Sequence, residues 1–153
     1  MTYTEYKDER SKSFDKLPVF FAFSNQQFEE KMNERGLTIN DTDKIYKLGD
    51  TGGFYLKKDS EKVRAYFSGD NLRELMNDKE FAISAFEYEM QNHEYAINYY
   101  QGDWDVCSCF CKCEWADDKT FEDYLIEGGY SDEHVKWFAE ALRLYRKKSE
   151  DLY

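Results

Sequence analysis

The chain has 153 residues, a formal net charge of −11, 41% hydrophobic residues and 18% aromatic residues. This length fits one domain that buries well over half of its unfolded surface and needs neither a disulfide nor a metal to fold. The aromatic content excludes disorder, and no apolar run approaches the roughly 20 residues of a bilayer span. The negative charge argues against direct contact with nucleic acid or an acidic membrane surface.

Residues 1–16 balance Glu5, Asp8, Glu9 and Asp15 against Lys7, Arg10, Lys12 and Lys16 and carry no hydrophobic segment. They read as a flexible, solvated arm rather than a secretory signal, with a single domain over 17–153. Residues 18–23 read as a buried strand, with Pro18 at its start, where a missing N–H costs least. Ser24 and Gln27 have capping-box spacing for a helix over 25–35, which Gly36 stops. Two strand-like runs, 44–48 and 54–57, flank Gly49-Asp50-Thr51-Gly52-Gly53 as a hairpin. That glycine-rich turn is no phosphate loop, because no Gly-Lys-Ser/Thr follows. Residues 60–67 suit helix or strand equally. Asp70 caps a helix carrying Leu72, Leu75 and Met76, and 80–91 has helical periodicity.

Residues 95–100 read as a strand. From Trp104 to Trp115 the cysteines fall on alternate residues, which suits a strand, and also at i and i+4, which suits a helix. Thr120 and Asp123 cap a short helix that Gly128-Gly129 ends. Ser131 caps the last helix, whose core stripe is Val135, Phe138, Ala139, Leu142 and Tyr145, with Arg143, Arg146, Lys147 and Lys148 near its end. The pattern implies an α+β fold: a small, mostly antiparallel sheet packed against several helices, with a C-terminal helix.

Cys107, Cys109, Cys111 and Cys113 occupy one seven-residue window. A disulfide framework spreads its cysteines more widely, so reduced thiols in a cytoplasmic setting are expected. They read as small hydrophobes on a buried strand face. The alternative is a metal-binding accessory protein using the Cys107–Cys113 ladder, since Cys-x-Cys repeats suit soft metals. Asn92-His93-Glu94 offers a histidine beside a carboxylate, and a small enzyme using His93 with a nearby carboxylate or thiol is a further alternative. Neighbours on a strand face opposite ways, however, so Glu94 would not reach the ring. No catalytic residue, metal ligand or cofactor is assigned.

The acidity is regional. Residues 101–135 hold ten acids against Lys112 and Lys119, a local charge of −8. Aromatic residues interleave with those acids. The candidate partner-binding set is Asp103, Trp104, Asp105, Glu114, Trp115, Asp117, Asp118, Glu122, Asp123 and Glu127. Charge would steer a partner and the aromatic rings would anchor it.

Phe21-Ala22-Phe23-Ser24-Asn25, Gln27-Phe28-Glu29, Lys44-Ile45-Tyr46, Gly52-Gly53-Phe54, Tyr88-Glu89-Met90 and Asn92-His93-Glu94-Tyr95 stand in order along the chain. Over residues 18–98 they resemble an uncharacterised family of small proteins, a domain of unknown function from bacteriophages and mobile elements. The resemblance implies that setting and no reaction. Combined with the acidity, it leads to the expectation of a non-enzymatic acidic binding protein. Its partner would be a basic nucleic-acid-binding host protein engaged by phosphate mimicry, as an anti-CRISPR-like inhibitor would engage it.

Overall fold

The protein is described from a computed structural model, which describes residues 1–95 and 101–152. Its contacts divide into two compact units where one domain over 17–153 is expected. One unit comprises residues 1–7 with 70–153, the other residues 8–69. The strand expected over 95–100 falls on residues 96–100, outside the described residues; Tyr95 itself lies in a turn.

The unit of residues 8–69 holds the sheet. Strands β1 (Val19–Phe21), β2 (Ile45–Leu48) and β3 (Gly53–Leu56) form an antiparallel sheet in the order β1-β3-β2. Val19 and Tyr46 both stand opposite Tyr55. The hairpin turn needs positive φ at Gly49 and Gly52. At Gly52 a Cβ would also lie 2.5 Å from the Phe23 ring, so glycine meets two demands there. The Ser24 hydroxyl accepts from the Gln27 N–H, and the Gln27 amide reaches back to the Phe23 N–H. This cap starts the helix at Asn25–Glu34, which buries Met32 against Phe20 and Ile45. Residues 60–67 resolve as a helix, Ser60–Phe67, that buries Val63.

The expected flexible arm is instead helix α1 (Tyr3–Asp15). Its balanced charges hide two inward tyrosines: Tyr3 and Tyr6 are buried and meet Phe81 edge-on. Arg10 donates to the Tyr66 carbonyl at 3.0 Å, and the Tyr66 hydroxyl donates to the Arg10 carbonyl at 3.1 Å. With these contacts made, neither half of the helix behaves as a solvated arm.

The other unit is helical. Following the Asn25–Glu34 and Ser60–Phe67 helices (α2 and α3), α4 spans Asp70–Leu75, α5 Lys79–Asn92, α6 Gly102–Cys107, α7 Phe121–Glu127 and α8 Asp132–Leu152. The Asp78 carboxylate caps α5 by accepting from the Phe81 N–H. Phe86 of α5 packs on Phe138 of α8 with ring centroids 5.0 Å apart, and Phe121 stacks on the same ring at 4.5 Å. Thr120 and Asp123 form the expected box ahead of α7. Two sequence expectations shift here. Ala141 rather than Ala139 completes the buried stripe of α8, and α8 runs past its basic residues to Leu152. The fold is α+β, with a three-stranded antiparallel sheet and a C-terminal helix. No described helix is long and apolar enough to cross a membrane.

Candidate metal centre

Helix α5 presents Phe81, Ala82, Ala85, Phe86 and Met90 to the core, and Glu89 shares that buried face at 2% exposure. A carboxylate there requires partners for both oxygens. Oε1 accepts from Lys7 Nζ at 2.8 Å and from the Tyr3 hydroxyl at 3.1 Å. Oε2 faces the Cys109 thiol, which donates to it at 3.2 Å, and lies 3.3 Å from His93 Nε2. Cys109 Sγ and His93 Nε2 are 3.4 Å apart. One oxygen, one nitrogen and one sulfur therefore meet at a single point. Among the described residues these three form the one group of His, Cys, Asp and Glu side chains close enough to share an ion.

Local structure explains the convergence. Glu89 and His93 are four apart, so the last turn of α5 stacks them on one face. His93 is the C-terminal cap of that helix and Glu94 follows with φ +50°. This turn carries the Glu94 backbone away, so the carboxylate beside His93 is Glu89, one helical turn earlier, not its sequence neighbour. Cys109 arrives from the turn after α6, where its thiol also meets the Asp105 carbonyl at 3.3 Å.

Burial pushes the Glu89 carboxyl up, but the hydrogen bonds from Lys7, Cys109 and Tyr3 outweigh it and hold the group below the usual carboxylate range. Burial, reinforced by the bond to Glu89, pushes the Cys109 thiol up to about 12. Burial and Glu89 push the Tyr3 phenol up as well. The thiol thus keeps its proton and donates it in a hydrogen bond to Glu89, the opposite of an activated nucleophile. A Cys–His relay also needs the thiol on one ring nitrogen and the carboxylate on the other. Here both contacts fall on Nε2.

The donor edges lie close to those of a metal site, with the sulfur–oxygen edge somewhat short. Zn–S of about 2.3 Å and Zn–N and Zn–O of about 2.0 Å at tetrahedral angles require donor separations of about 3.3–3.6 Å. The observed separations are 3.2, 3.3 and 3.4 Å. Lys7 and Tyr3 on Oε1 leave Oε2 as a single donor, the kind of outer support that orients metal ligands.

The cysteine ladder does not form the expected strand face. Cys107 closes α6, and Cys109, Cys111 and Cys113 lie in the turn and coil beyond it. The i, i+4 relation survives as a Cys111 thiol on the Cys107 carbonyl. Cys107 alone is fully buried, and burial keeps its thiol well above the usual range.

The ten acidic-face residues split by placement. Asp103 turns inward to the Tyr95 hydroxyl and the Phe121 N–H, and the Trp104 indole donates to the Cys113 carbonyl at 3.0 Å. Asp105 is half-buried. Glu114, Trp115, Asp117, Asp118, Glu122, Asp123 and Glu127 are exposed. Within that group Asp123 caps α7 and Glu127 pairs with Lys119 at 2.6 Å.

A family model described as a family of unknown function, DUF7659, matches residues 2–106. The chain belongs to this family. No curated protein and no solved structure matches it. The matched segment takes in Tyr3, Lys7, Glu89 and His93, and Cys109 lies beyond it.

Proposed function

We propose that this protein binds a transition-metal ion of the zinc class through Glu89 Oε2, His93 Nε2 and Cys109 Sγ, with a fourth position left for water or an exchanging ligand. The supporting observation is the convergence of three unlike donor atoms at 3.2–3.4 Å from one another. One soft, one intermediate and one hard donor suit zinc better than calcium or magnesium, which require oxygen ligands. Binding releases the Cys109 proton and replaces the S–H bond to Glu89. Lys7 stays on Oε1, where its charge is offset by the two anionic ligands. Three protein ligands plus an open position is the arrangement found in catalytic rather than purely structural zinc sites.

The test is metal analysis of protein made without a histidine tag, followed by cobalt(II) substitution. One ion per chain and a thiolate-to-cobalt charge-transfer band, lost in Cys109→Ser, are expected. A chain that retains no metal after loading and dialysis, or a Cys109→Ser variant that binds as tightly as the parent, overturns the reading.

A second reading rests on the exposed acidic face. Trp115 and Ile126 are 44% and 47% exposed among those acids. Asp118, Glu122, Asp123, Ile126 and Glu127 border a surface concavity of about 600 Å3. In this reading the face engages a basic, nucleic-acid-binding protein by phosphate mimicry, in the phage or mobile-element setting implied by the resemblance. Capture should weaken as salt rises and fall in a Asp118→Asn/Glu122→Gln variant. Capture indifferent to both rules it out.

A further inference from the structure

The sheet of residues 8–69 covers one of its faces unevenly. Phe20, Ile45, Lys47 and Phe54 share that face: Phe20 and Lys47 both stand opposite Phe54, and Ile45 lies two residues before Lys47. Helix α2 buries Phe20 and Ile45 with Met32. Lys47 is exposed, so the cover stops short of it. Among the described residues the Lys47 side chain has no ion pair, hydrogen bond or ring contact.

A surface concavity of about 460 Å3 opens at this uncovered end. Phe23, Phe28, Ile45 and Phe54 wall it, with Thr42 and Lys47 among its polar groups. Apolar walls with a few polar groups are the usual make-up of a small-molecule site. Among the described residues that line it, Lys47 is the one charged group, although the chain holds 32 acids against 21 bases. Phe28 and Phe54 meet with ring centroids 5.1 Å apart. Phe23 is 75% exposed and still fixed in place. The Ala22 N–H donates to the Gly52 carbonyl at 3.0 Å, the Phe23 N–H donates to the Gln27 side chain at 2.8 Å, and the Phe23 ring lies against Gly52 and Phe21. A ring held outside the core offers apolar surface and has little freedom to lose on contact.

We propose that this concavity binds a small aromatic monocarboxylate, with its ring against Phe23, Phe28 and Phe54 and its carboxylate accepting from Lys47 Nζ. A flat ring suits the aromatic walls. The carboxylate gives the unpaired lysine a charge-assisted hydrogen bond. One cation without a second base suits a monoanion better than a phosphate. With no carboxylate on the lining, an incoming anion meets no like charge at close range, despite the net charge of −11. The inference does not rest on the metal reading: its residues belong to the unit of residues 8–69, and Glu89, His93 and Cys109 belong to the other.

The full chain, labelled with nitrogen-15, is titrated with naphthalene-2-carboxylate and followed by amide chemical shifts. Two further probes are naphthalene-2-carboxamide, which lacks the charge, and cyclohexanecarboxylate, which lacks the aromatic ring. Saturable shifts are expected at residues 22–25, 28, 45–47 and 54, with both control probes about tenfold weaker. Lys47→Met should weaken the naphthoate about tenfold and leave the amide unchanged. Phe23→Ala should weaken both naphthalene probes; the side chain is too exposed for its loss to unfold the unit, which unchanged amide shifts elsewhere will show. No saturable shift, shifts centred on other residues, an amide that binds as tightly as the acid, or a Lys47→Met variant that binds like the parent would each overturn the proposal.

Discussion

Two glutamate–lysine pairs in this molecule have nearly the same length and very different surroundings. Lys7–Glu89 measures 2.8 Å and Lys119–Glu127 2.6 Å. Glu89 is 2% exposed and collects Tyr3, Cys109 and His93 around it; Glu127 is 36% exposed. Distance alone would rank them as equals. Burial separates them, because a carboxylate out of water depends on every partner, whereas a surface carboxylate can turn to solvent.

The sharpest way to break this comparison is Glu89→Ala. It removes the shared acceptor of Lys7, Tyr3 and Cys109, and urea unfolding with chelator present should show a loss of about 3 kcal/mol. That is the low end for a broken buried pair, since Lys7 keeps access to water. Next is Gly128→Ala, whose new methyl would collide with Cys111; a loss of about 1–3 kcal/mol is expected from overpacking. The same variant should displace the Cys111 thiol, seen as faster alkylation in the native state. Thr120→Ala removes one half of the α7 capping box and should cost about 1 kcal/mol, read as a lower thermal midpoint.

The smallest effect lies at the surface pair. The hydrogen bond from Lys119, with the Glu114 N–H, holds the Glu127 carboxyl below its ordinary range. Its contribution to stability is therefore complete above the unfolded carboxylate value of about 4.3 and fades as pH falls through the lower folded value. Lys119 is raised by the same pair. Its share is complete below the unfolded lysine value of about 10.4 and is lost as pH rises through the folded one. Lys119→Met should move the Glu127 carboxyl resonance midpoint upward in an NMR titration while leaving thermal stability at neutral pH nearly unchanged. A large stability loss would mean that exposure is a poor guide to the worth of these pairs.

Much of the fold was legible in local signals. The Ser24–Gln27 and Thr120–Asp123 caps, the glycine turn and the periodicity of α5 and α8 act over a few residues, and each appears where its chemistry places it. Helix α1 was hidden because charge balance conceals two core tyrosines spaced three apart. The cysteine segment suits strand and helix alike in sequence, because alternation fits an extended chain and the i, i+4 spacing fits a helix; in the structure α6 ends at Cys107 and an irregular chain follows.

The candidate site was half legible. His93 stood out as one of only two histidines, and the resemblance already contained Tyr88-Glu89-Met90. The missed clue was the charge at 89 on a stripe otherwise made of Phe81, Ala82, Ala85, Phe86 and Met90. A buried-face carboxylate four residues before a histidine is a pattern that sequence can show. The approach of Cys109, twenty residues after Glu89, is long-range, and no local spacing announces it.

The boundary of the family match runs through the proposed centre. Residues 2–106 contain the oxygen and nitrogen donors and the two groups that steady the glutamate. The sulfur comes from beyond that boundary. A relative sharing only the matched segment would offer an ion two donors and no thiolate, a pair that holds metals loosely and leans toward harder ones. In the proposed centre, affinity and choice of ion would then rest on a short stretch of chain outside the matched segment, and the helix beneath it would supply the other two donors.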